Sequence, residues 1–391
     1  MLLNQNLKPE GNRIESLDAV RGVALLGILI VNSLSFHAPY FFYGGEGDYS
    51  ATDNVLLMVI DMFVQASFYP LFSLLFGIGL YMMYNRQLKI TDRPYSILIR
   101  RMIILAAIGV IHGIFLWYGD ILLTYAVFGM ISLLFIHKKP ASILKWALSL
   151  LMIPTILMTW SFYSMRNELS SLGNQTAIAE SIDAFKGSYS EIFQQNLTNW
   201  LMSYDIYQWI IMLFIILPMM LLGIMIQKKG WLKNINTHAN ELKWWLLISF
   251  ILFASFKMVP YLFGMPIWFE YAQDVIGGSF SSLFYFILFI FLFKGRYLQF
   301  IRRILSNAGK LSLTNYVTQS VICFFIFYGV GFNLYNELSI GTLLIIVFTI
   351  YIVQLLVSNW YVKRYKFGPL EWVYRSLTYQ AFQPMKKEGA R

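Results

Sequence analysis

Cysteine, histidine and charged residues are scarce in this 391-residue chain, and each shortage excludes a kind of site. The single cysteine, Cys323, cannot form an intramolecular disulfide or a thiolate cluster. The four histidines are scattered along the chain, which argues against a histidine-rich metal site, and we expect no metal. Walker loops, HExxH pairs and strand-turn-helix nucleophile elbows are also missing from the sequence. The enzyme classes built on these motifs are therefore excluded.

The chain instead has long apolar runs, and its basic residues fall in every second connection between them. Charged residues make up 13% of the chain and hydrophobic residues 58%, as is typical of a polytopic membrane protein. Runs of about 20 apolar residues predict about ten membrane-spanning helices, which begin near Ala19, Ala66, Ile99, Ile121, Ala141, Tyr207, Trp244, Val275, Leu311 and Leu338. When both termini are placed in the cytoplasm, 27 of the 30 Lys and Arg residues fall on that side. By the positive-inside rule, we predict an all-α, polytopic membrane helix bundle with cytoplasmic N- and C-termini.

This topology divides the chain into one bundle and two tails. Residues 1–18 are expected to form a cytoplasmic tail, residues 19–362 the transmembrane bundle, and residues 363–391 a cytoplasmic tail along the membrane interface. The external loop 163–206 has apolar residues at helical spacing, which predicts an amphipathic helix on the outer surface. The net charge of +10 is explained by basic loops that face anionic lipid, so we expect membrane lipids and no nucleic acid as partners. Lys257 is expected at a membrane interface.

Three of the predicted helices carry polar side chains at membrane depth, in each case on one helix face. The groups are Asp18, Arg21 and Asn32 on the first helix, Arg101 and His112 on the third, and Ser312, Asn315, Tyr316 and Gln319 on the ninth. Such groups cost free energy in a bilayer, usually face the bundle interior and often mark function. If the three faces converge, they outline a polar cavity with a basic cytoplasmic mouth and His112 at its inner end.

Each of these groups also has a purely structural interpretation. His112 could be a buried histidine that hydrogen-bonds a neighbouring helix. Arg101 could be a positive-inside anchor. The polar stripe on the ninth helix could hold helices together, at about 0.6 kcal/mol per hydrogen bond.

Asp120 follows His112 at the outer edge of the third helix and is a candidate partner for it. A carboxylate beside an imidazole fixes the tautomer and raises the basicity of the ring. Along a continuous helix the two residues would lie roughly 12 Å apart. Contact therefore requires the helix to break at Trp117-Tyr-Gly119 and the chain to fold back.

Five segments in this order resemble the YeiB-type family of bacterial inner-membrane proteins, and the resemblance spans nearly the whole chain. They are Leu17-Asp18-Ala-Val-Arg21-Gly22 with Asn32, Phe72-Ser-Leu-Leu-Phe-Gly77, Gly109-Val-Ile-His112 with Trp117-Tyr-Gly-Asp120, Gly309-Lys-Leu-Ser-Leu-Thr314-Asn315-Tyr316, and Phe367-Gly-Pro369-Leu-Glu371-Trp372. Through its opening motif, the family resembles the transmembrane acyltransferases that include the lysosomal heparan-glucosaminide N-acetyltransferase. The resemblance implies a multi-pass protein of the bacterial cytoplasmic (inner) membrane and points to acyl transfer.

Three function hypotheses follow. The first is an acyltransferase that moves an acyl group from a cytoplasmic acyl-CoA-like co-substrate to a small-molecule, lipid or glycan acceptor reached from the outer side. The catalytic candidates are His112, Asp120 and Asn32, and the donor-binding candidates are Arg21, Arg101, Asp18, Ser312, Asn315, Tyr316 and Gln319. The alternative is a transporter or lipid translocator that uses the same cavity. A third is a scaffold or sensor, and a homodimer is compatible with all three.

Overall fold

The computed structural model describes residues 14–43, 49–169, 174–295 and 297–387. The α-helices of this described part are α1 (Glu15–His37), α2 (Ala51–Phe63), α3 (Phe68–Gln87), α4 (Pro94–Phe115), α5 (Leu122–Ser132), α6 (Pro140–Ser164), α7 (Gln175–Lys186), α8 (Tyr189–Ser203), α9 (Ile206–Lys229), α10 (Ala239–Phe253), α11 (Ile267–Ala272), α12 (Gly278–Lys294), α13 (Gln299–Lys310), α14 (Ser312–Phe327), α15 (Ile340–Arg364) and α16 (Pro369–Tyr379). Two π-helical turns, Ala254–Met258 after α10 and Gln273–Gly277 before α12, interrupt the regular helices. The predicted all-α fold is confirmed.

Eight of the about ten predicted spanning segments correspond to helices of the described part that are long and apolar enough to cross a membrane, and the other two correspond to shorter apolar helices. Eight helical segments of the described part are long and apolar enough to cross a membrane: Glu15–His37, Ala51–Gln87, Pro94–Phe115, Pro140–Ser164, Ile206–Lys229, Ala239–Phe263, Ile267–Lys294 and Ile340–Arg364. Two shorter apolar helices, Leu122–Phe135 and Ser312–Phe327, bring the total to ten. Each predicted run overlaps one of these helices. The side assigned to the cytoplasm from the basic residues stays a prediction, and "inner" and "outer" are used below in that sense.

Local sequence signals begin many of these helices. On the outer side, the side chains of Asp205 and Ser339 accept hydrogen bonds from backbone N–H groups in the first turns of α9 and α15. On the inner side, α4, α6 and α16 begin with Pro94, Pro140 and Pro369. Proline suits the first helical position because its fixed φ is already helical and its missing N–H would have no partner there.

Two pairs of helices cross so closely that glycine is required at the contact. In α1 and α13, a Cβ on Gly22 would lie 2.2 Å from the carbonyl oxygen of Leu305, and one on Gly309 only 1.8 Å from that of Asp18. In α3 and α9, a Cβ on Gly77 would lie 2.0 Å from the carbonyl oxygen of Met220. Small residues at such crossings let helix backbones approach within van der Waals distance. The inner ends of α1 and α13 are thereby fixed beside each other.

Replacing Gly223 by alanine is expected to destabilise the protein by about 1–3 kcal/mol, the usual cost of overpacking. The new methyl group would lie 2.1 Å from the carbonyl oxygen of Leu74, so α3 and α9 would have to separate. The measurement is the denaturation midpoint of the purified protein in detergent. Gly341→Ala on α15 is the matched control, because its nearest neighbours would lie at an ordinary 3.8 Å. Equal midpoints for the two variants would contradict the close crossing.

The predicted tails and outer loop are only partly described. Residues 1–13 of the expected N-terminal tail, residues 170–173 of the outer loop and residues 388–391 of the expected C-terminal tail lie outside the described residues. In the outer loop, α7 and α8 are helical, and α8 packs on α4. The side chain of Lys257, which was expected at a membrane interface, is wholly buried inside the protein, and its depth in the membrane stays a prediction. The apolar periodicity of the run around Lys257 could not show that two neighbouring helices supply carboxylates to it.

Candidate functional site

A cavity of about 440 Å³ lies between α1, α3, α4, α14 and α16, toward the inner side. Its mouth is basic, because the cationic side chains outnumber the carboxylates: the charged lining residues are Arg21, Arg86, Arg101, Lys310, Arg375, Asp18 and Glu371. Further in, the lining becomes apolar and aromatic and reaches Ile121 and Leu122 at the start of α5. Ser312 and Tyr316 of α14 also line it. The structure thus brings α1, α4 and α14 together around one cavity with a basic mouth.

The arginines of the mouth are held by neighbouring side chains. Arg21 donates through Nη1 to Oδ1 of Asp18, one turn earlier on α1, at 2.8 Å. The guanidinium of Arg101 lies 4.7 Å from the ring centroid of Tyr374 on α16. Within the described residues Arg101 forms no ion pair with a carboxylate. Arg101 is therefore well placed to bind an anion that enters the cavity.

Glu371 connects α16 to the start of α14. Its Oε1 accepts hydrogen bonds from the backbone N–H groups of Leu313 and Thr314, at 2.7 and 3.0 Å, and its Oε2 accepts one from the Thr314 hydroxyl at 2.5 Å. A carboxylate in this position satisfies N–H groups that have no partner within the helix. Burial raises the pKa of Glu371 despite these hydrogen bonds. The interaction fixes the inner end of α14 and, with it, the rotation of its polar faces.

A buried histidine and aspartate lie beyond the apolar depth of the cavity. The α4 helix ends at Phe115, and the chain turns back through Trp117-Tyr-Gly119 before α5 begins. Because of this break, Nδ1 of His112 lies 2.9 Å from Oδ1 of Asp120. The other carboxylate oxygen accepts a hydrogen bond from the backbone N–H of Leu123 at 3.0 Å. The fold-back that contact between His112 and Asp120 requires is therefore present.

The outer helix α8 covers this turn. Asn196 of α8 accepts a hydrogen bond from the backbone N–H of Tyr118 at 2.7 Å and donates to the carbonyl oxygens of Gly113 and Ile114 at 2.8 Å. These carbonyl and N–H groups belong to the end of α4 and the turn after it, where backbone groups lack helical partners. The buried amide of Asn196 thus stabilises the break that brings Asp120 to His112.

Ser320 on α14 completes the arrangement. Its Oγ lies 2.8 Å from Nε2 of His112, so the ring is hydrogen-bonded on both nitrogens. His112, Asp120 and Ser320 are exposed by only 2, 7 and 2%. Sequence analysis missed Ser320, although the residue continues the i, i+4 series that begins with Ser312 and Tyr316. Extending that series by one turn was the available signal.

Tyr316 lies between the cavity and the histidine. Its ring lines the cavity, and the ring centroid is 5.1 Å from that of His112. Its buried hydroxyl approaches the backbone of Ile121 but makes no hydrogen bond of ordinary geometry to a described residue. A buried hydroxyl without a partner is unusual and calls for a physical explanation.

Comparison with known proteins supports the resemblance stated from the sequence. A family model described as "Protein of unknown function (DUF418)" matches residues 226–381. The uncharacterized protein YxaH of Bacillus subtilis (strain 168) is 28% identical over 399 residues, which cover 96% of this chain and 96% of YxaH. The uncharacterized protein YeiB of Escherichia coli (strain K12) is 27% identical over 416 residues, 96% of this chain and 99% of YeiB. The similarity to the YeiB-type proteins is confirmed.

The residues that carry the resemblance to YeiB surround the cavity and the histidine. Asp18 and Arg21 of the opening motif line the mouth, and Glu371 of the last motif holds the start of α14. His112 and Asp120 of the middle motif form the buried pair. The residues matched by the family model contain α14 and α16 but not α4. The YeiB-type motifs therefore meet in space although they are distant in sequence.

Three of the candidate residues lie apart from the cavity. Asn315 and Gln319 face α15, where Asn315 donates to Ser358 at 3.1 Å and Gln319 donates to Gln354 at 2.8 Å. The stripe on α14 is thus divided between two faces, and its Asn315–Gln319 half joins helices, as in the structural interpretation. Asn32 is half-buried on α1 and is not among the residues that line the cavity. Their roles in binding or chemistry stay predictions.

A second group of charges, of which Lys257 is wholly buried and the two carboxylates are partly exposed, lies in the outer half of the bundle. Lys257, on the π-helical turn after α10, donates to Asp274, on the π-helical turn before α12, at 2.7 Å, and to Asp61 of α2 at 3.5 Å. Tyr261 and Gln273 each donate to Asp61 at 2.6 Å. The carboxylate of Asp274 also faces an outer cavity of about 400 Å³. Single π-helical turns within helices are frequently found at functional sites.

Proposed function

We propose that this protein is an acyltransferase of the bacterial cytoplasmic membrane. It takes an acyl group from an acyl-CoA-like thioester on the inner side and passes it to a hydroxyl or amine acceptor reached from the outer side. One observation carries the proposal: a cavity with a basic mouth is lined by Tyr316, whose ring lies against a histidine that is hydrogen-bonded on both nitrogens. A basic mouth suits the phosphates of the donor, and a buried histidine suits general-base chemistry.

The lining of the cavity supports this orientation of the donor. Phosphate groups bind best where arginine forks can approach them, which is the property of the mouth around Arg21 and Arg101. The acyl chain and thioester are less polar and suit the apolar wall near Leu122. A donor bound in this way points its thioester toward Tyr316 and His112.

Asp120 and His112 supply the proton transfer in this proposal. An ionised carboxylate can only accept hydrogen bonds, so Asp120 selects the tautomer with a proton on Nδ1 of His112. Nε2 is then the basic nitrogen. Because the site is buried, water is excluded and hydrolysis of the thioester is disfavoured.

The proposal is tested with the purified protein in nanodiscs. Short-chain and long-chain acyl-CoA, labelled in the acyl group, are offered together with bacterial lipid and glycan extracts. We expect label in one acceptor fraction and release of free CoA in equal amount. Absence of transfer from every acyl-CoA to every fraction, with protein that remains folded, would contradict the proposed activity.

Arg101→Ala is expected to raise the KM for the acyl-CoA donor by about 10-fold or more with little change in kcat. The reason is that a hydrogen bond to a charged group contributes about 1.5–3 kcal/mol, and this contact is made with the donor in the ground state and the transition state alike. Initial rates at varied donor concentration measure the effect. Arg100→Ala is the matched control, since Arg100 instead donates to the carbonyl oxygen of Thr378 and is not among the residues that line the cavity. A similar KM for the Arg101→Ala and Arg100→Ala variants would show that Arg101 does not bind the donor.

A transporter is the second candidate, because the inner cavity and the outer cavity lie close together. Tyr125, which lines the inner cavity, donates to the carbonyl oxygen of Tyr69, which lines the outer one, at 2.7 Å. The outer cavity also contains Glu270 and Asp274, so a cation or proton could be bound there. Substrate flux in proteoliposomes without any acyl donor would favour this function over acyl transfer.

A further inference from the structure

We propose that Ser320 is the nucleophile of the reaction and carries the acyl group as a covalent ester between two half-reactions. This inference rests on the proposed acyl transfer and adds to it a specific intermediate. It differs from direct transfer, in which His112 activates the acceptor and the acyl group passes in one step.

The geometry that supports the inference is a linear chain of three buried side chains. Asp120 Oδ1 lies 2.9 Å from Nδ1 of His112, and Nε2 of the same ring lies 2.8 Å from Oγ of Ser320. An acid, an imidazole and a hydroxyl at hydrogen-bond distance in this order form the arrangement that activates serine in enzymes of unrelated fold. It is recognised by geometry and not by spacing in the sequence, and here the three residues come from α4, the turn before α5, and α14.

A nucleophilic serine requires the Ser320 hydroxyl to donate to Nε2 of His112 at 2.8 Å instead of to the main-chain carbonyl oxygen of Tyr316, which lies at 3.4 Å. Two hydrogen bonds fix Asp120: its carboxylate accepts one from the backbone N–H of Leu123 at 3.0 Å, and its main-chain carbonyl oxygen accepts one from the Tyr204 hydroxyl at 2.8 Å. With the proton of the ring on Nδ1, Nε2 has a lone pair and accepts the hydroxyl proton of Ser320. Ser320 is the only other side chain in the described part that is hydrogen-bonded to His112.

The position of Tyr316 supplies the remaining requirement, a donor for the developing oxyanion. Tyr316 lies one turn before Ser320 on α14 and lines the cavity, and its hydroxyl has no hydrogen bond of ordinary geometry to a described residue. Ser320 is 2% exposed and is not among the residues that line the cavity, so a thioester would reach it, and the Tyr316 hydroxyl, only after the ring of Tyr316 turns aside. The buried hydroxyl would then gain its partner only when the donor is bound.

The chemistry balances without a further reactant. In the first half-reaction, Oγ of Ser320 bonds to the carbonyl carbon, the C–S bond breaks, and the serine proton passes through Nε2 of His112 to the leaving thiolate, which departs as a thiol. In the second, an acceptor hydroxyl or amine gives its proton to Nε2 and bonds to the same carbon. The C–Oγ bond breaks, and Ser320 regains the proton. A two-step path suits a donor and an acceptor that arrive from opposite sides, because they need not be bound together.

The deciding experiment is an exchange assay without acceptor. The purified protein is incubated with acetyl-CoA, or with the longer-chain acyl-CoA that supports turnover, and with labelled free CoA. If Ser320 forms an ester, labelled CoA enters the acyl-CoA pool, and Ser320→Ala lowers the exchange rate at least 100-fold. Ser282→Ala is the matched control, because Ser282 is a buried serine of α12 that only hydrogen-bonds backbone carbonyls. Intact-mass analysis and peptide mapping of the quenched wild-type protein are expected to place one acyl group on Ser320.

The outcomes separate the inference from the proposed function. Acyl transfer by the wild-type protein without exchange, or with full transfer retained in Ser320→Ala, would overturn the nucleophile and leave the acyltransferase intact. No transfer by the wild-type protein at all would instead count against the proposed function. If Ser320→Ala does not fold, the acylation site is mapped in the wild-type protein and in Ser320→Cys. An acyl group on residue 320 supports the inference, and an acyl group at a different site, or none, refutes it.

Discussion

Replacing His112 by glutamine is expected to lower the kcat of acyl transfer by roughly 10²–10⁴-fold, the range that a positioned acid-base group contributes. Glutamine can keep a hydrogen bond to Asp120 or Ser320, but it cannot accept and return a proton at neutral pH. Both hydrogen bonds of the His112 ring lie within a wholly buried site, so bulk water cannot replace the lost base. The measurement is the initial rate at saturating donor in nanodiscs.

Two further variants show whether the loss comes from chemistry. Asp120→Asn is expected to have a similar effect, because an amide can donate to Nδ1 and so stabilise the wrong tautomer of His112. His137→Gln is the control: His137 is an exposed histidine that contacts the hydroxyls of Tyr84 and Tyr95, and its loss should change kcat less than twofold. A folded His112→Gln protein with unchanged kcat would show that the histidine is only structural.

The helices and their number were predictable because the bilayer imposes a simple pattern. A span needs a long apolar run, and each of the ten predicted runs overlaps one of the observed apolar helices. The break after α4 was also partly visible, since Trp117-Tyr-Gly119 separates two apolar runs with Asp120 beside it. Arg21 and Arg101 could be placed at one end of the bundle because basic residues mark helix ends in this class of protein.

The details of the candidate site depend on contacts that a single helix does not encode. Helical period places Asn315 and Tyr316 close together on α14, yet a rotation of about 100° between neighbouring residues is enough to point one at α15 and the other at the cavity. The orientation of α14 about its own axis is fixed by contacts from other helices, among them the hydrogen bonds that Glu371 of α16 accepts from the start of α14. The i, i+4 series of Ser312 and Tyr316 could have pointed to Ser320, but only the packing of α14 against α4 shows that this serine contacts His112.

Lys257→Met is expected to destabilise the protein by about 3 kcal/mol, the lower end of the cost of removing one member of a buried ion pair. Lys257 is wholly buried and lies between Asp61 and Asp274, so its loss leaves two carboxylates of like charge without a cation. The lower end applies because the side chains of Asp61 and Asp274 are 25 and 39% exposed and keep some solvation, and Asp274 also lines the outer cavity. The measurement is the free energy of denaturation in detergent, or the shift of the midpoint where denaturation is irreversible.

The double-mutant comparison separates charge from packing in this effect. If uncompensated charge is the cause, adding Asp274→Asn to Lys257→Met should recover part of the lost stability, although the single Asp274→Asn variant is itself destabilised. Lys243→Met, on the exposed face of the same helix, is the control and should change the stability by less than about 0.5 kcal/mol. Losses that simply add in the double variant would mean that Lys257 acts through its aliphatic stem. The ammonium group of Lys257 lies 2.7 Å from Oδ1 of Asp274 and so joins the two π-helical turns. We therefore expect the stability losses of the two single variants not to add in the double variant.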